Sequence, residues 1–264
     1  ICIIGTNLLT LLQVCSYTDP KYIALIMDPV ADFNLAAYYI EAAQSREKLA
    51  QLRRFYGCLA NALKYLHESK IRHRDIKPEN ILIKGPKVLL TDFGLSFDWE
   101  HLPHSTTTAD LPKTAVYAAP EVANYERKKN SASDIWSLGC VFLEMVTVLK
   151  GETVLHMREF FRERTDNYLF HANMSGAKVW THKLSKLGLE EDGIPVEWVA
   201  NMLNRDPSKR PTAASLFSEI LDCDTTVKFC GHCCENQETD ESDDSEDDHD
   251  PLADTMQEMT VKPR

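Results

Sequence analysis

The most constraining stretch of this 264-residue chain runs from Ile71 to Gly94. A loop dense in charge, Ile71 to Asn80, leads into Ile81-Leu82-Ile83, the turn Lys84-Gly85-Pro86 and Val88-Leu89-Leu90. It leaves through Asp92-Phe93-Gly94. Two short apolar runs about a Gly-Pro turn predict a two-stranded hairpin. A hairpin returns the chain to where it started, so oxygen-bearing side chains just before and just after it, Asn80 and Asp92, can meet one ligand. Upstream, Leu49, Leu52, Tyr56, Leu59, Leu63 and Leu66 recur at steps of three and four. That spacing predicts an amphipathic helix of about five turns with one buried face, ending by His67 to Lys70.

Around this centre the chain reads as one globular body. Leu8 to Val14 and Tyr22 to Met27 are expected as two short strands, followed by a polar stretch from Asp28 to Asn34. Residues 95–118 are polar and aperiodic, and a loop of that length in a compact domain is usually functional. Ile135 to Leu149 is apolar nearly all round and is expected as a core helix, with a last helix near Ala213 to Leu221. The net charge of -11 belongs to the C-terminal end: residues 235–250 hold ten carboxylates and no Lys or Arg. A near-neutral body has no general attraction for nucleic acid or anionic membrane, and neither is expected as a partner. No run reaches the roughly 18 apolar residues of a membrane span.

Three short motifs carry the chemistry: His73-Arg74-Asp75-Ile76-Lys77-Pro78-Glu79-Asn80, then Asp92-Phe93-Gly94, then Ala119-Pro120-Glu121. In this order, with a hairpin between the first two, the chain from about Leu8 to Leu221 resembles the C-terminal lobe of the eukaryotic protein kinases. Lys77, two residues past Asp75, points to the serine/threonine kind. The resemblance implies an α+β fold: a mainly helical C-lobe (31–221), remnant strands of an N-lobe with the hinge (1–30), and an acidic tail without stable fold (222–264). It implies ATP and Mg²⁺ as cofactors, protein Ser/Thr hydroxyls as substrate, and an upstream activating kinase as a further partner. Asp75 would accept or orient the hydroxyl proton and Lys77 would bring positive charge to the transferring phosphate. Asn80 and Asp92 are hard oxygen donors suited to Mg²⁺, and the resemblance implies that Asn80 takes the second metal and Asp92 the main one.

By the same resemblance, Phe93 packs on His73, Gly94 takes a backbone conformation that other residues resist, and Glu121 pairs with Arg210 under the substrate loop. Asp134 holds the catalytic loop, caps its own helix, or does both. Arg74 suits an activation segment ordered by phosphate on Thr106, Thr107 or Thr108, and Thr114 would bond to Asp75 and Lys77. Lys113 stands where a glycine is usual. Met27 would guard the adenine pocket, Asp28-Pro29-Val30 would form the hinge, Asp32 would reach the ribose, and Leu82 would floor the adenine ring.

The sequence holds no G-x-G-x-x-G and no strand lysine before Lys21. Either most of the N-lobe is missing from a complete kinase, or the chain is a lobe-less, non-catalytic interaction module. In the first case the isolated chain is expected to transfer little phosphate. Cys2, Cys15, Cys58 and Cys140 lie far apart among apolar residues, which fits thiols in an intracellular, reducing compartment. Cys230-Gly231-His232-Cys233 has the spacing of a zinc half-site, but Cys223 and Cys234 are poorly placed to complete it. Ser242 and Ser245, set among carboxylates, are candidate sites for an acid-directed kinase.

Overall fold

The computed structural model describes residues 10–16, 23–92, 97–98, 115–123, 130–223, 228–231 and 234, with backbone alone for 10–16, 23–28 and 97–98. β1 (Thr10–Ser16) and β2 (Ile23–Asp28) pair antiparallel, with Thr10 opposite Asp28 and Ser16 opposite Ile23. β3 (Phe33–Asn34) runs straight into α1 (Leu35–Ala42), a helix the sequence reading leaves unassigned. Asn34 ends the strand and caps the helix, its Oδ1 accepting the Ala37 N–H at 2.9 Å.

α2 (Arg46–Glu68) is the expected amphipathic helix. Ser45 caps it, and Leu52, Phe55, Tyr56, Leu59, Leu63 and Leu66 are buried. Leu49, placed on the same face by the spacing, is only partly covered because it lies in the first turn. β4 (Ile71–Arg72) pairs antiparallel with β7 (Phe97–Asp98). The hairpin forms as β5 (Ile81–Lys84) and β6 (Lys87–Leu90), with Ile81 opposite Leu90 and Lys84 opposite Lys87. Gly85 supplies the positive φ, 53°, that starts its two-residue turn. β3 adds to β5, so the sheet has three strands, not two. Ile81, Ile83, Val88 and Leu90 join the main core, while Leu82 remains half-exposed.

The rest is helical: α3 (Pro120–Ala123), α4 (Ser131–Leu149), α5 (Val154–Thr165), α6 (Met174–Leu184), α7 (Pro195–Met202) and α8 (Ala213–Leu221). α8 has the bounds expected for it. α4 corrects the sequence reading on one point: by length and composition it is apolar enough to cross a membrane. It is the core helix all the same, since 83% of its apolar window is buried inside the protein, with Asp134 and Glu144 buried in it.

A second correction concerns the C-terminal end. The reading that nothing beyond Asp222 joins the fold fails at Phe229 and Cys234, which are 3% and 5% exposed. Composition argued against order here, yet one aromatic ring seated among others outweighs the polar residues around it. Residues 224–227, 232–233 and 235–264, with Ser242 and Ser245, lie outside the described residues.

Candidate active site

The loop between β4 and β5 is held from below by a single buried carboxylate. Asp134, on the first turns of α4, accepts the backbone N–H of Arg74 on Oδ1 at 2.8 Å and that of His73 on Oδ2 at 3.0 Å. The Nε2 of His67, near the end of α2, lies 3.1 Å from Oδ2. Burial pushes the Asp134 carboxyl up, but His67 and the Arg74 N–H outweigh it and hold it below its usual range. Asp134 does not cap α4: Asn130 occupies the N-cap position. Its role is the loop. His67 is a functional residue the sequence reading missed, because no local pattern links positions 67 residues apart.

Two residues at this centre hold left-handed backbone without being glycine, Arg74 at φ 73° and Asp92 at φ 66°. Such conformations cost of order 1–3 kcal/mol and persist only where neighbours over-determine them. For Arg74 the restraint is the Asp134 hydrogen bond. For Asp92 it is the hairpin, since Thr91 donates its N–H to the Asn80 carbonyl at 3.0 Å. That bond extends the β5–β6 ladder by one step and sets Asp92 beside Asn80.

His73 ties both sides together. Burial lowers its pKa and keeps the ring neutral. Nε2 meets the Thr91 carbonyl at 2.8 Å and Nδ1 meets the Asp75 N–H at 3.3 Å. A neutral imidazole does this with its proton on Nε2 and its lone pair on Nδ1. The ring thus links the residue before Asp92 to Asp75 itself. The expected Phe93 packing lies outside the described residues, as do Gly94, Thr114 and Thr106, Thr107 and Thr108.

Asp75 is fixed by its own loop. The Lys77 Nζ lies 2.7 Å from Asp75 Oδ2, and the Asn80 amide donates to the same oxygen at 3.0 Å and to the Asp75 carbonyl at 2.9 Å. With the Asn80 NH₂ committed to Asp75, its carbonyl oxygen is the donor atom left for a cation. Asn80 and the exposed Asp92 therefore fit hard, oxygen-seeking Mg²⁺. Among the described residues no group of three His, Cys, Asp or Glu is arranged to hold a metal ion by itself, here or near Cys223, Cys230 and Cys234.

The nucleotide-binding expectations fare unevenly. Met27 and Asp28 lie in β2, where only the backbone is described, and Val30 is 78% exposed just beyond it. Leu82 sits opposite Leu89 on the sheet face turned from Ile81 and Ile83. Asp32, expected at the ribose, is engaged here by the hairpin turn. Its Oδ1 meets the Lys84 Nζ at 2.9 Å and its Oδ2 accepts the Gly85 N–H at 2.9 Å. Both oxygens serve the hairpin turn, at the end of the hairpin away from Asn80 and Asp92. These two contacts lower its pKa.

Below the site, Glu121 and Arg210 form a two-pronged pair, with both N···O distances 2.8 Å and both side chains buried. Arg210 also donates to the carbonyls of Ala132 and Asn204 and lies over the Trp136 ring at 5.0 Å. Beside it is a buried cluster the sequence reading missed. Glu144 Oε1 accepts from Tyr117 Oη at 3.1 Å and Arg158 Nη2 at 2.9 Å. Burial nevertheless pushes the Glu144 carboxyl up to about 7. A carboxyl raised on folding stabilises most below its unfolded pKa and loses that contribution as pH climbs through the folded value. Stability is expected to fall by about 3 kcal/mol between roughly pH 4.5 and 7 from this group. Denaturant titrations across that range would detect it, and Glu144→Gln should flatten the slope; an unchanged slope would refute the assignment.

Asp75 braced by Lys77 and Asn80 at one end of the hairpin, with the buried Glu121–Arg210 clamp, is the setting in which the likeness to known proteins is read. A family model described as "Protein kinase domain" matches residues 5–220. Curated relatives include "Mitogen-activated protein kinase 16" of Arabidopsis thaliana, 28% identical over 184 residues, which are 61% of this chain and 32% of that protein. "Serine/threonine kinase NLK" of Caenorhabditis elegans is 30% identical over 173 residues, 58% of this chain and 27% of that protein. "Mitogen-activated protein kinase 13" of Oryza sativa subsp. indica is 30% identical over 189 residues, 63% of this chain and 37% of that protein. The matched stretch thus spans about a third of the length of these relatives. With the family model covering most of its length, the chain belongs to the protein kinase domain family.

Proposed function

We propose that this chain carries the phosphoryl-transfer machinery of a serine/threonine protein kinase, acting on protein hydroxyls with ATP and Mg²⁺. Members of the family generally use both. The observation that carries the reading is the bracing of Asp75 by Lys77 and Asn80 with Asp92 one ladder step away. Bound Mg²⁺ would neutralise the phosphate oxygens of the nucleotide, held by Asn80 and Asp92. The remaining work belongs to the chain's own residues. Asp75 aligns the substrate hydroxyl and takes its proton, and Lys77 keeps that carboxylate in position while adding positive charge. His73 and Asp134 keep the loop from relaxing out of its strained shape. Phosphoryl transfer asks mainly for positioning and charge neutralisation, which these groups provide. Leu82 is proposed as the floor beneath the adenine, and an upstream kinase acting near Arg74 as the activator.

The alternative reading is a non-catalytic interaction module. The two are separated by joining the chain to the glycine-loop lobe of a mitogen-activated protein kinase relative and following labelled phosphate from ATP into a generic Ser/Thr substrate. The chain alone should transfer little and the fusion should transfer measurably. Asp75→Asn in the fusion should lower the rate by about 10²–10⁴-fold. A fusion that folds, binds nucleotide and transfers no faster than its Asp75→Asn form would favour the module.

A further inference from the structure

We propose that the slot between α2 and α7 is a peptide-docking site filled by the chain's own segment 228–231, which straps this part of the C-terminal end to the lobe. This inference does not depend on catalytic activity.

The slot is aromatic. Tyr56 on α2 packs edge-on against Phe142 of α4 at 4.6 Å and against Trp198 of α7 at 5.8 Å. Phe229 completes the set, 5.2 Å and 86° from Trp198 and 5.9 Å and 78° from Tyr56. Edge-to-face pairs in this distance range attract beyond the area they bury. The strap is also held by its backbone: the Gly57 N–H, in the middle of α2, donates to the Phe229 carbonyl at 2.9 Å. Beyond it, the Cys234 N–H turns back to the Gly231 carbonyl at 3.0 Å.

Gly57 is what lets the strap approach. A Cβ at this position would stand 2.1 Å from Cys230 Sγ, 3.0 Å from the Phe229 carbonyl oxygen and 3.2 Å from Cys230 Cα. Two of those three atoms are backbone, so the strap itself would have to lift. A glycine inside a helix ordinarily weakens it relative to alanine. Here the weakness is offset by the docking it permits. Lys228 is exposed immediately before the buried Phe229, so docking closes off the Lys228–Phe229 peptide bond and leaves the lysine side chain in water.

That junction gives the test. The full chain is digested with limiting trypsin and cleavage after Lys228 is followed by mass spectrometry, alongside cleavage after Arg162 on α5 and Lys178 on α6. Phe229→Ala should raise the Lys228 rate at least tenfold while the two helix sites stay as slow as in wild type. Gly57→Ala should do the same and lower the melting temperature. The sign is diagnostic: without a docked strap, alanine in mid-helix raises it. Equal Lys228 rates in wild type and both variants, or a higher melting temperature for Gly57→Ala, would overturn the proposal.

Discussion

Arg210→Ala is expected to destabilise the protein by about 3–5 kcal/mol, enough to remove much of the stability of an ordinary domain. The substitution leaves the Glu121 carboxylate 4% exposed beside an emptied site. It also withdraws donors from the carbonyls of Ala132 and Asn204 and contact from the Trp136 ring. The loss is large because burial makes the survivor costly, not because the pair adds much beyond an apolar replacement. The double variant Glu121→Leu/Arg210→Met should therefore recover most of the stability lost by Arg210→Ala. Urea unfolding of the three proteins checks this. A double variant as unstable as Arg210→Ala would place the cost in the carbonyl contacts instead.

Asp134→Ala should have a comparable effect on stability and a larger one on the site. It removes the acceptor of two backbone N–H groups, of His73 and Arg74, and the partner of His67. Each buried donor left unsatisfied costs about 1–3 kcal/mol, and Arg74 loses the bond that holds it at positive φ. Asp75 is the next residue, so its carboxylate should lose its fixed relation to Asn80. Asp134→Asn keeps one acceptor oxygen and should retain part of both properties. Unfolding free energy and hydrogen exchange at residues 73–75 would be measured together. Unchanged exchange there in a folded Asp134→Ala protein would refute the anchoring role.

The parts of this fold legible in the sequence are those where periodicity and function coincide. The Leu52–Leu66 stripe, the apolar run of α4 and the hairpin about Gly85 each repeat a local rule. Asp75, Lys77, Asn80 and Asp92 were legible because the loop and hairpin that carry them are contiguous. What escaped is long-range or short. α1 has apolar residues at Leu35, Tyr38, Tyr39 and Ala42, a helical spacing, but eight residues are too few to stand out from the polar stretch before them. β3 has two residues and exists only because β5 offers an edge. The turn contacts of Asp32 escaped because that turn lies some fifty positions later. Gly57 and Phe229 were each visible, but only their contact across α2 gives either one meaning.

The central claim is that Asn80 and Asp92 hold the nucleotide-bound metal beside Asp75. The direct measurement is electron paramagnetic resonance of Mn²⁺, a spectroscopic substitute for Mg²⁺, titrated into the chain with and without ADP. Wild type should bind Mn²⁺ in an ADP-dependent manner, Asn80→Ala should weaken that binding, and Asp92→Ala should abolish it with the helical circular dichroism unchanged. ADP-dependent binding that survives Asp92→Ala, or that is absent from wild type, would show that these oxygens do not hold the nucleotide's metal.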